Sequence, residues 1–381
     1  MNSELTEIMD EPVKTKSNEL LDKEINDARN GLTTDRLDMS FGEIISMYER
    51  NEIIINPDFQ RLFRWGNEQQ TRFIESLLLG IPIPPIFVAE ISQGEDSGKW
   101  ELVDGLQRVS TILSFFGKLK TLPEKNNWEL LEGGLVKSLN GYKLNDLPLK
   151  YQLNIRRAAC RIEIIKWNSK IDMRYELFKR INSYGETITE QELRNCIFRP
   201  QSNKFNDFLK ELSEIPNFKE LISPTEKQIN QLYLQELVLR FFALYDVAKK
   251  DSPAKEKINE NISSYMTSYM QEIIKDASFD YEENKQLFIQ LIELLAPIGK
   301  NVFKGTDDTG PFSSSIYDVL MIGIALNLPY YKSMSSSDIN QFISDKKNDP
   351  DFVKERGYGV TVNSKSRVAK RIELAKKFFK P

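Results

Sequence analysis

Hydrophobic residues recur along this chain with two different spacings, and the change between them divides it. Residues 1 to about 33 are polar and charge-rich with weak apolar periodicity, which predicts a flexible or loosely helical arm (1–36), with order beginning near Asp38. Ser40 and Glu43 form a capping-box pair for a helix running to about Arg50, with Phe41, Ile44, Ile45 and Tyr48 on one face. Ile53 to Ile55 reads as a short strand stopped by Asn56-Pro57. Residues 68–79 read as a helix with Phe73, Ile74, Leu77 and Leu78 inward and Gly80 as its C-terminal cap. Prolines at 82, 84 and 85 force an extended approach to a strand over 86–91. A polar loop then leads to a second strand, 99–103, and the two predict a hairpin. Gly105 turns the chain into a helix over 106–116, and 159–167 reads as a further strand.

After Ser169 the spacing becomes helical almost to the end, over 171–181, 190–198, 203–214, 226–248, 258–275, 281–296, 314–326 and 364–380. No repeat is visible. The expected architecture is an α+β N-terminal domain followed by an all-α domain.

Composition narrows the chemistry. The 381 residues suit roughly two to three domains. Basic and acidic residues number 52 and 56, for a net charge of −4, so the chain as a whole makes no electrostatic case for nucleic acid, although local patches remain open. It contains no histidine, which removes Ser-His-Asp and Cys-His nucleophiles, HNH-type nucleases and His-liganded metal sites. The two cysteines, Cys160 and Cys196, are too few for a disulfide framework and read as small buried hydrophobes. Catalysis would fall to carboxylates, Lys, Arg, Tyr, Ser/Thr or Gln, with an oxygen-liganded Mg²⁺ as an option. The first residues lack the charge and apolar core of a signal peptide, and the longest apolar run, 319–331, is too short to span a bilayer, so a cytoplasmic protein without a membrane partner is expected.

Three polar clusters carry candidate chemistry. The first, PDFQRLFRW (57–65), interleaves Gln60, Arg61 and Arg64 with aromatics, a set able to grip phosphate and stack on a base; its ordinary reading is a surface turn. The second, VDGLQRVST (103–111), is a strand–glycine–helix junction. Gly105 admits a phosphate and free helix N–H groups face it, with Arg108 in the first turn as a further grip and Ser110 and Thr111 close behind. Asp104 could hold Mg²⁺ or orient a water that Gln107 positions; the ordinary reading is an Asp cap with a surface arginine. The third, FKRINSYG (178–185) followed by QELRN (191–195), reads equally as helix punctuation, with Gly185 as a stop and Thr189 as a cap. The C-terminal helix adds Lys365, Arg367, Lys370 and Arg371. One of its faces, Val368, Ile372, Ala375 and Phe379, should dock on the protein and leave the basic face free, a weak DNA-binding signal.

Taken together, FQRLFRW, the helix QQTRFIESLLLGIPIPPIFV, WELVDGLQRVSTILSFF and FKRINSYGETITEQELRN resemble the domain of unknown function 262 family, the GmrS-type half of GmrSD modification-dependent restriction enzymes. The resemblance covers about 38–200 and keeps the motif order. It implies a ParB/sulfiredoxin-like nucleotide-binding domain over 37–200, with a helical domain over 201–381, and nucleoside triphosphate (NTP) binding, often hydrolysis, in bacterial defence against foreign DNA. Asp104, Gly105, Gln107 and Arg108 match the family's D-G-Q-Q-R motif, Gln60 and Arg61 its upstream F-Q-R, and Asn182 and Gly185 its downstream Asn-x-x-Gly. Leu106 replaces the first Gln of the motif, removing one amide. Family members that cut DNA carry an HNH-like nuclease half, which a chain without histidine cannot contain.

Two functions fit. One is an NTP-binding, Mg²⁺-dependent hydrolysing regulator of a restriction or anti-phage system. Asp104, Gln107 and Arg108 would be its catalytic residues, Asp104 its metal ligand, and DNA and a separate nuclease or effector its partners, with a homo-oligomer compatible. The other is a non-enzymatic DNA-binding or interaction module in which Leu106 marks a degraded site. Direct DNA cleavage ranks last, because Asp58 and Asp104 are too few acids for a metal cluster.

Overall fold

In the computed structural model the described residues are 18–55, 65–91, 95–166, 176–180, 189–199, 202–250, 258, 261–305, 310–356 and 363–380. Five strands, β1 (Thr34–Ser40), β2 (Ile53–Ile54), β3 (Ile86–Glu90), β4 (Trp100–Asp104) and β5 (Ala159–Ile165), form one sheet in the order β1-β5-β3-β4-β2. β3 and β4 are the expected antiparallel hairpin, β3 runs parallel to β5, β2 parallel to β4, and β1 antiparallel to β5 along its whole length. Strand alternation gives the sheet two buried faces. Ile86, Val88, Leu102, Ile162 and Ile164 face a core shared with α2 (Phe41–Glu49), α3 (Asn67–Leu79), α4 (Leu106–Phe115) and α5 (Leu149–Arg157). Ala89, Val103 and Ile165 face the helical half of the chain.

That half contains α6 (Glu190–Phe198), α7 (Asn203–Ser213), α8 (Pro216–Ile222), α9 (Glu226–Asn230), α10 (Tyr233–Lys249), α11 (Ile262–Lys275), α12 (Tyr281–Leu295), α13 (Ser314–Leu326), α14 (Leu328–Lys332), α15 (Ser336–Lys347), α16 (Pro350–Arg356) and α17 (Lys365–Phe378). The architecture is mixed α+β with an all-helical C-terminal half, as expected. Leu193, Ile197 and Phe198 of α6 pack in the helical core together with the far face of the sheet. The sheet therefore lies between the two apolar cores and contributes side chains to both. No helix among the described residues is long and apolar enough to cross a membrane.

Four local expectations need correction. Order does not wait for Asp38: α1 (Asn18–Arg29) and β1 both precede or include it. β1 is hidden in the sequence because TDRLDMS lies at the sheet edge, where backbone pairing to β5 holds residues that are mostly exposed. The capping box at Ser40 is half formed. Ser40 Oγ accepts from Glu43 N–H at 3.2 Å, but the Glu43 carboxylate is bonded by Arg50 at 2.9 Å instead of reaching back. The helix expected over 226–248 breaks at Leu232, whose φ is +56°, and the Gln231 carbonyl accepts from the Thr189 hydroxyl at 3.1 Å, docking the start of α6. Finally, Arg371 is not on a free basic face. It is 1% exposed, donating to Ser315 Oγ (2.8 Å) and pairing with Asp318 Oδ2 (3.1 Å).

The Arg371 burial follows from Asp318. That carboxylate sits inside the helical core and also receives a two-pronged contact from Arg240, Nε to Oδ1 at 2.6 Å and Nη2 to Oδ2 at 2.7 Å. A buried carboxylate is tolerable only when paired and hydrogen-bonded, and here α10, α13 and α17 are locked through it. Burial alone would lower the Arg240 pKa; Asp318 outweighs it and holds it above the ordinary value.

In the α+β half, Glu75 of α3 does similar work on a loop. Its carboxylate accepts from the backbone N–H groups of Gly134 (3.1 Å), Leu135 (2.8 Å) and Val136 (2.6 Å). Gly133 has to be glycine, since a Cβ there would lie 2.4 Å from Glu75 Oε1. Burial by itself would raise the Glu75 pKa, but the three donors and nearby Arg72 prevail and hold it below the usual carboxylate value. The contribution is therefore complete above about pH 4.3, the unfolded value, and is lost as pH falls through the lower folded value. Glu75→Gln should destabilise by about 2 kcal/mol at neutral pH. In urea titrations the gap from the unmodified protein should narrow on acidification below that range.

Candidate functional site

The second polar cluster folds as the sequence suggests. Asp104 is the last residue of β4, opposite Phe87, where the β3–β4 register shifts, an irregularity of the kind that re-aims side chains at sheet ends. Gly105 follows at φ +96°, ψ +13° and α4 begins at Leu106, so the N-cap position is a glycine, which has no side chain to cap with. A Cβ at Gly105 would lie 2.9 Å from Ile86 Cγ1 and 3.3 Å from Arg108 Nη2, so both conformation and space call for glycine. The junction thus offers the first-turn N–H groups of a ten-residue helix beside a carboxylate that is 34% exposed.

Arg108 points back over this turn. Nη2 donates to Asp104 Oδ2 at 2.9 Å, and Nη1 donates to the carbonyls of Pro84 and Pro85, the latter at 3.1 Å. The proline run ahead of β3 therefore has a second use: besides extending the chain, its carbonyls receive the guanidinium. Sequence reasoning placed Arg108 at the site but missed these carbonyl partners, for which residue type gives no signal. Burial lowers the Arg108 pKa, with Asp104 opposing, and it still carries its charge. Cys160 lies close behind, 1% exposed, its thiol pushed up to about 11 by burial against the pull of Arg108. Both cysteines are buried and unbridged, as expected.

Gln107 accepts from the Trp65 N–H at 3.1 Å, and the Trp65 ring packs edge-on against Phe73 at 5.8 Å. The end of the FQRLFRW segment is thus tied to the DGLQR turn. Gln60, Arg61 and Arg64 lie outside the described residues, as do Asn182 and Gly185. Leu106 is half-buried against the α+β core, so the residue that departs from the family motif contributes apolar packing. Ser110 and Thr111 are each 1% exposed within α4; the Ser110 hydroxyl has no hydrogen-bond partner among the described residues, and the Thr111 carbonyl accepts from Ser114 Oγ at 3.0 Å.

The third cluster is brought into the interior. Thr189 and Glu192 form a complete capping box, Glu192 accepting from Thr189 N–H at 2.7 Å. Arg194 is fully buried, donating to Thr267 Oγ1 (3.1 Å), Gln191 Oε1 (3.0 Å) and the carbonyl and hydroxyl of Ser263 (3.0 and 2.7 Å). Asn195 donates to Gln235 Oε1 at 2.9 Å. These groups bolt α6 to α10 and α11. On α17, Lys365, Arg367 and Lys370 are half-buried. No group of three or more acidic or cysteine side chains fit to hold a metal ion occurs among the described residues. One carboxylate suits a Mg²⁺ ion that shares its remaining ligands with phosphates and water, and does not suit an all-protein cage.

The family model described as GmrSD restriction endonuclease, N-terminal domain, matches residues 41–199. No curated protein and no solved structure matches the chain. The matched segment runs from the first residue of α2 to just past α6, so it includes the strand–glycine–helix turn and crosses from one apolar core into the other.

Gly105→Ala should cost about 1–3 kcal/mol of stability, from the left-handed backbone and the contact with Ile86. Gly66→Ala is the control, because Gly66 has an ordinary φ of −71° and open space around its would-be Cβ. Thermal or chemical unfolding of the two variants should separate them clearly.

Proposed function

Residues 41–199 belong to the GmrSD N-terminal domain family, and from that premise we propose that this chain binds a nucleoside triphosphate at the Gly105 turn and hydrolyses it as the regulatory component of a restriction system. The observation that carries the reading is the first turn of α4, entered through Gly105 in a left-handed conformation with Ile86 against its would-be Cβ, beside the partly exposed Asp104. Phosphate oxygens would accept from N–H groups of that turn. Mg²⁺, arriving with the phosphates, would supply charge neutralisation and share Asp104 as a ligand. Gln107 holds Trp65, and so fixes where the FQRLFRW segment ends, from which Gln60, Arg61 and Arg64 would reach the nucleotide.

Arg108 serves this site as a positioning residue. Its guanidinium is occupied by Asp104 and by the Pro84 and Pro85 carbonyls, so it sets the direction of the carboxylate and spans β3, β4 and α4. Phosphoryl transfer asks chiefly for placement and charge stabilisation, which these groups can provide. These 381 residues contain no histidine for an HNH centre, so DNA cutting of that type would need residues outside them. The reading as a DNA-binding module, which would use Arg61, Arg64 and the basic C-terminal helix, loses one of its named residues, because Arg371 is consumed inside the helical core.

The test is turnover of ATP, GTP, CTP and UTP with Mg²⁺, with and without DNA. At least one should be hydrolysed, and Asp104→Asn should reduce that rate about 100-fold or more while leaving the fold intact by circular dichroism. A chain that neither binds nor hydrolyses any of the four under either condition refutes the proposal.

A further inference from the structure

Among the described residues β1 ends the sheet, and the direction of its backbone groups can be read from its two ends. Lys166 N–H donates to the Thr33 carbonyl at 2.9 Å, and Phe41 N–H donates to the Ala158 carbonyl at 3.1 Å. With the two-residue period of a strand, residues 33, 35, 37, 39 and 41 turn their N–H and C=O groups toward β5. Thr34, Arg36, Asp38 and Ser40 turn theirs to the open side. The Arg36 N–H agrees: it donates to the neighbouring Asp35 Oδ1 at 2.8 Å rather than to β5. Residues 34–38 are all exposed, and Leu37 remains 43% exposed although it is apolar. Immediately upstream, α1 buries none of its residues, while Leu21 and Ile25, four apart on one face, are 54% and 40% exposed. A helix of that length is marginal in water without a surface to lie on. Both α1 and β1 precede the family-matched segment.

We propose that β1 is a self-association edge, on which a second copy of this chain pairs its own β1 antiparallel about a two-fold axis at Leu37. The two five-stranded sheets then become one of ten strands, and the Leu21–Ile25 stripe of α1 adds apolar contact. What favours a second copy is the self-complementarity of TDRLDMS. Leu37 is the midpoint of β1, so this axis overlaps the whole strand. It sets Arg36 opposite Asp38 of the other copy, twice, as hydrogen-bonded pairs, and Leu37 on Leu37 as a non-hydrogen-bonded pair, where side chains approach most closely. Centring on Asp35, Arg36 or Asp38 would stack like charges, and centring on Met39 would overlap only residues 38–40.

The charges continue a pattern already present. Arg36 pairs with Glu163 at 3.1 Å and Asp38 with Arg161 at 3.1 Å across β1 and β5, and the new neighbours extend this alternation through both copies. The Asp35–Arg36 contact must be exchanged for an intermolecular bond, which makes the association weak and reversible. An unpaired edge carrying charges is also how proteins discourage indiscriminate pairing. Here the same charges select one register.

Sedimentation velocity of the full chain over a range of concentrations reads the outcome. The unmodified protein should form a dimer that dissociates on dilution. Leu37→Lys, which places two ammonium groups on the axis, and Arg36→Asp or Asp38→Arg alone should each raise the dissociation constant by about tenfold or more. The double variant Arg36→Asp with Asp38→Arg should recover association. Should a variant misfold by circular dichroism, amide exchange of the unmodified chain decides: Arg36 and Asp38 should exchange more slowly at high protein concentration. A chain that stays monomeric throughout, or a dimer indifferent to these changes, overturns the proposal and leaves the edge to a strand of some other protein.

Discussion

Gly105 carries the chain from the last residue of β4 into the first turn of α4 at φ +96°, where the Cβ of any other residue would press on Ile86. Because the reversal takes a single residue, the strand end and the helix start share one small region. Asp104 is left at the rim of the sheet, the first-turn N–H groups of α4 open beside it, and Arg108, one turn along, is brought back over both. The guanidinium then closes on Asp104 and on the proline carbonyls ahead of β3, so three segments distant in sequence are fixed around one turn. Gln107 extends the arrangement to Trp65. A helix start that follows a glycine N-cap, held beside a carboxylate, is the feature on which the proposed phosphate site rests.

Four arginines are spent inside this molecule. Arg108, Arg194, Arg240 and Arg371 are all buried, and each is bonded to groups on other elements. Their partners are chosen to need a planar, multi-pronged donor: two carbonyls and a carboxylate, a serine carbonyl with its hydroxyl, a carboxylate shared by two guanidiniums. Such residues join helices and strands, and they lower the positive charge available to a polyanion. The acidic net balance and the buried arginines act in the same direction, away from a broad basic surface.

Much of this was legible in the sequence. Period and punctuation locate α3, α4, the β3–β4 hairpin, α6 and α13 closely, because their apolar faces are buried and their ends carry glycine, proline or capping residues. The strand–glycine–helix turn was readable for the same reason: Gly105 between an apolar strand and an apolar helix marks a sharp reversal from one to the other. What the residues did not reveal depends on partners remote in sequence. β1 exposes most of its side chains, so no apolar alternation announces it. The break at Leu232 depends on a hydroxyl from Thr189, and the burial of Arg371 depends on Asp318, 53 positions away on α13. Residue type also failed to reveal that Arg108 bonds backbone carbonyls, since any residue can present a carbonyl.

Amide hydrogen exchange with and without nucleotide tests the central claim most directly. The amides of Leu106 and Arg108 precede the first intrahelical bond of α4, donated by Val109 to the Gly105 carbonyl, and should exchange readily in the free protein. Addition of the bound triphosphate with Mg²⁺ should slow exchange across residues 105–108 more than anywhere else in the chain. Nucleotide binding that leaves those amides unchanged, with protection elsewhere, would contradict a phosphate site at the Gly105 turn.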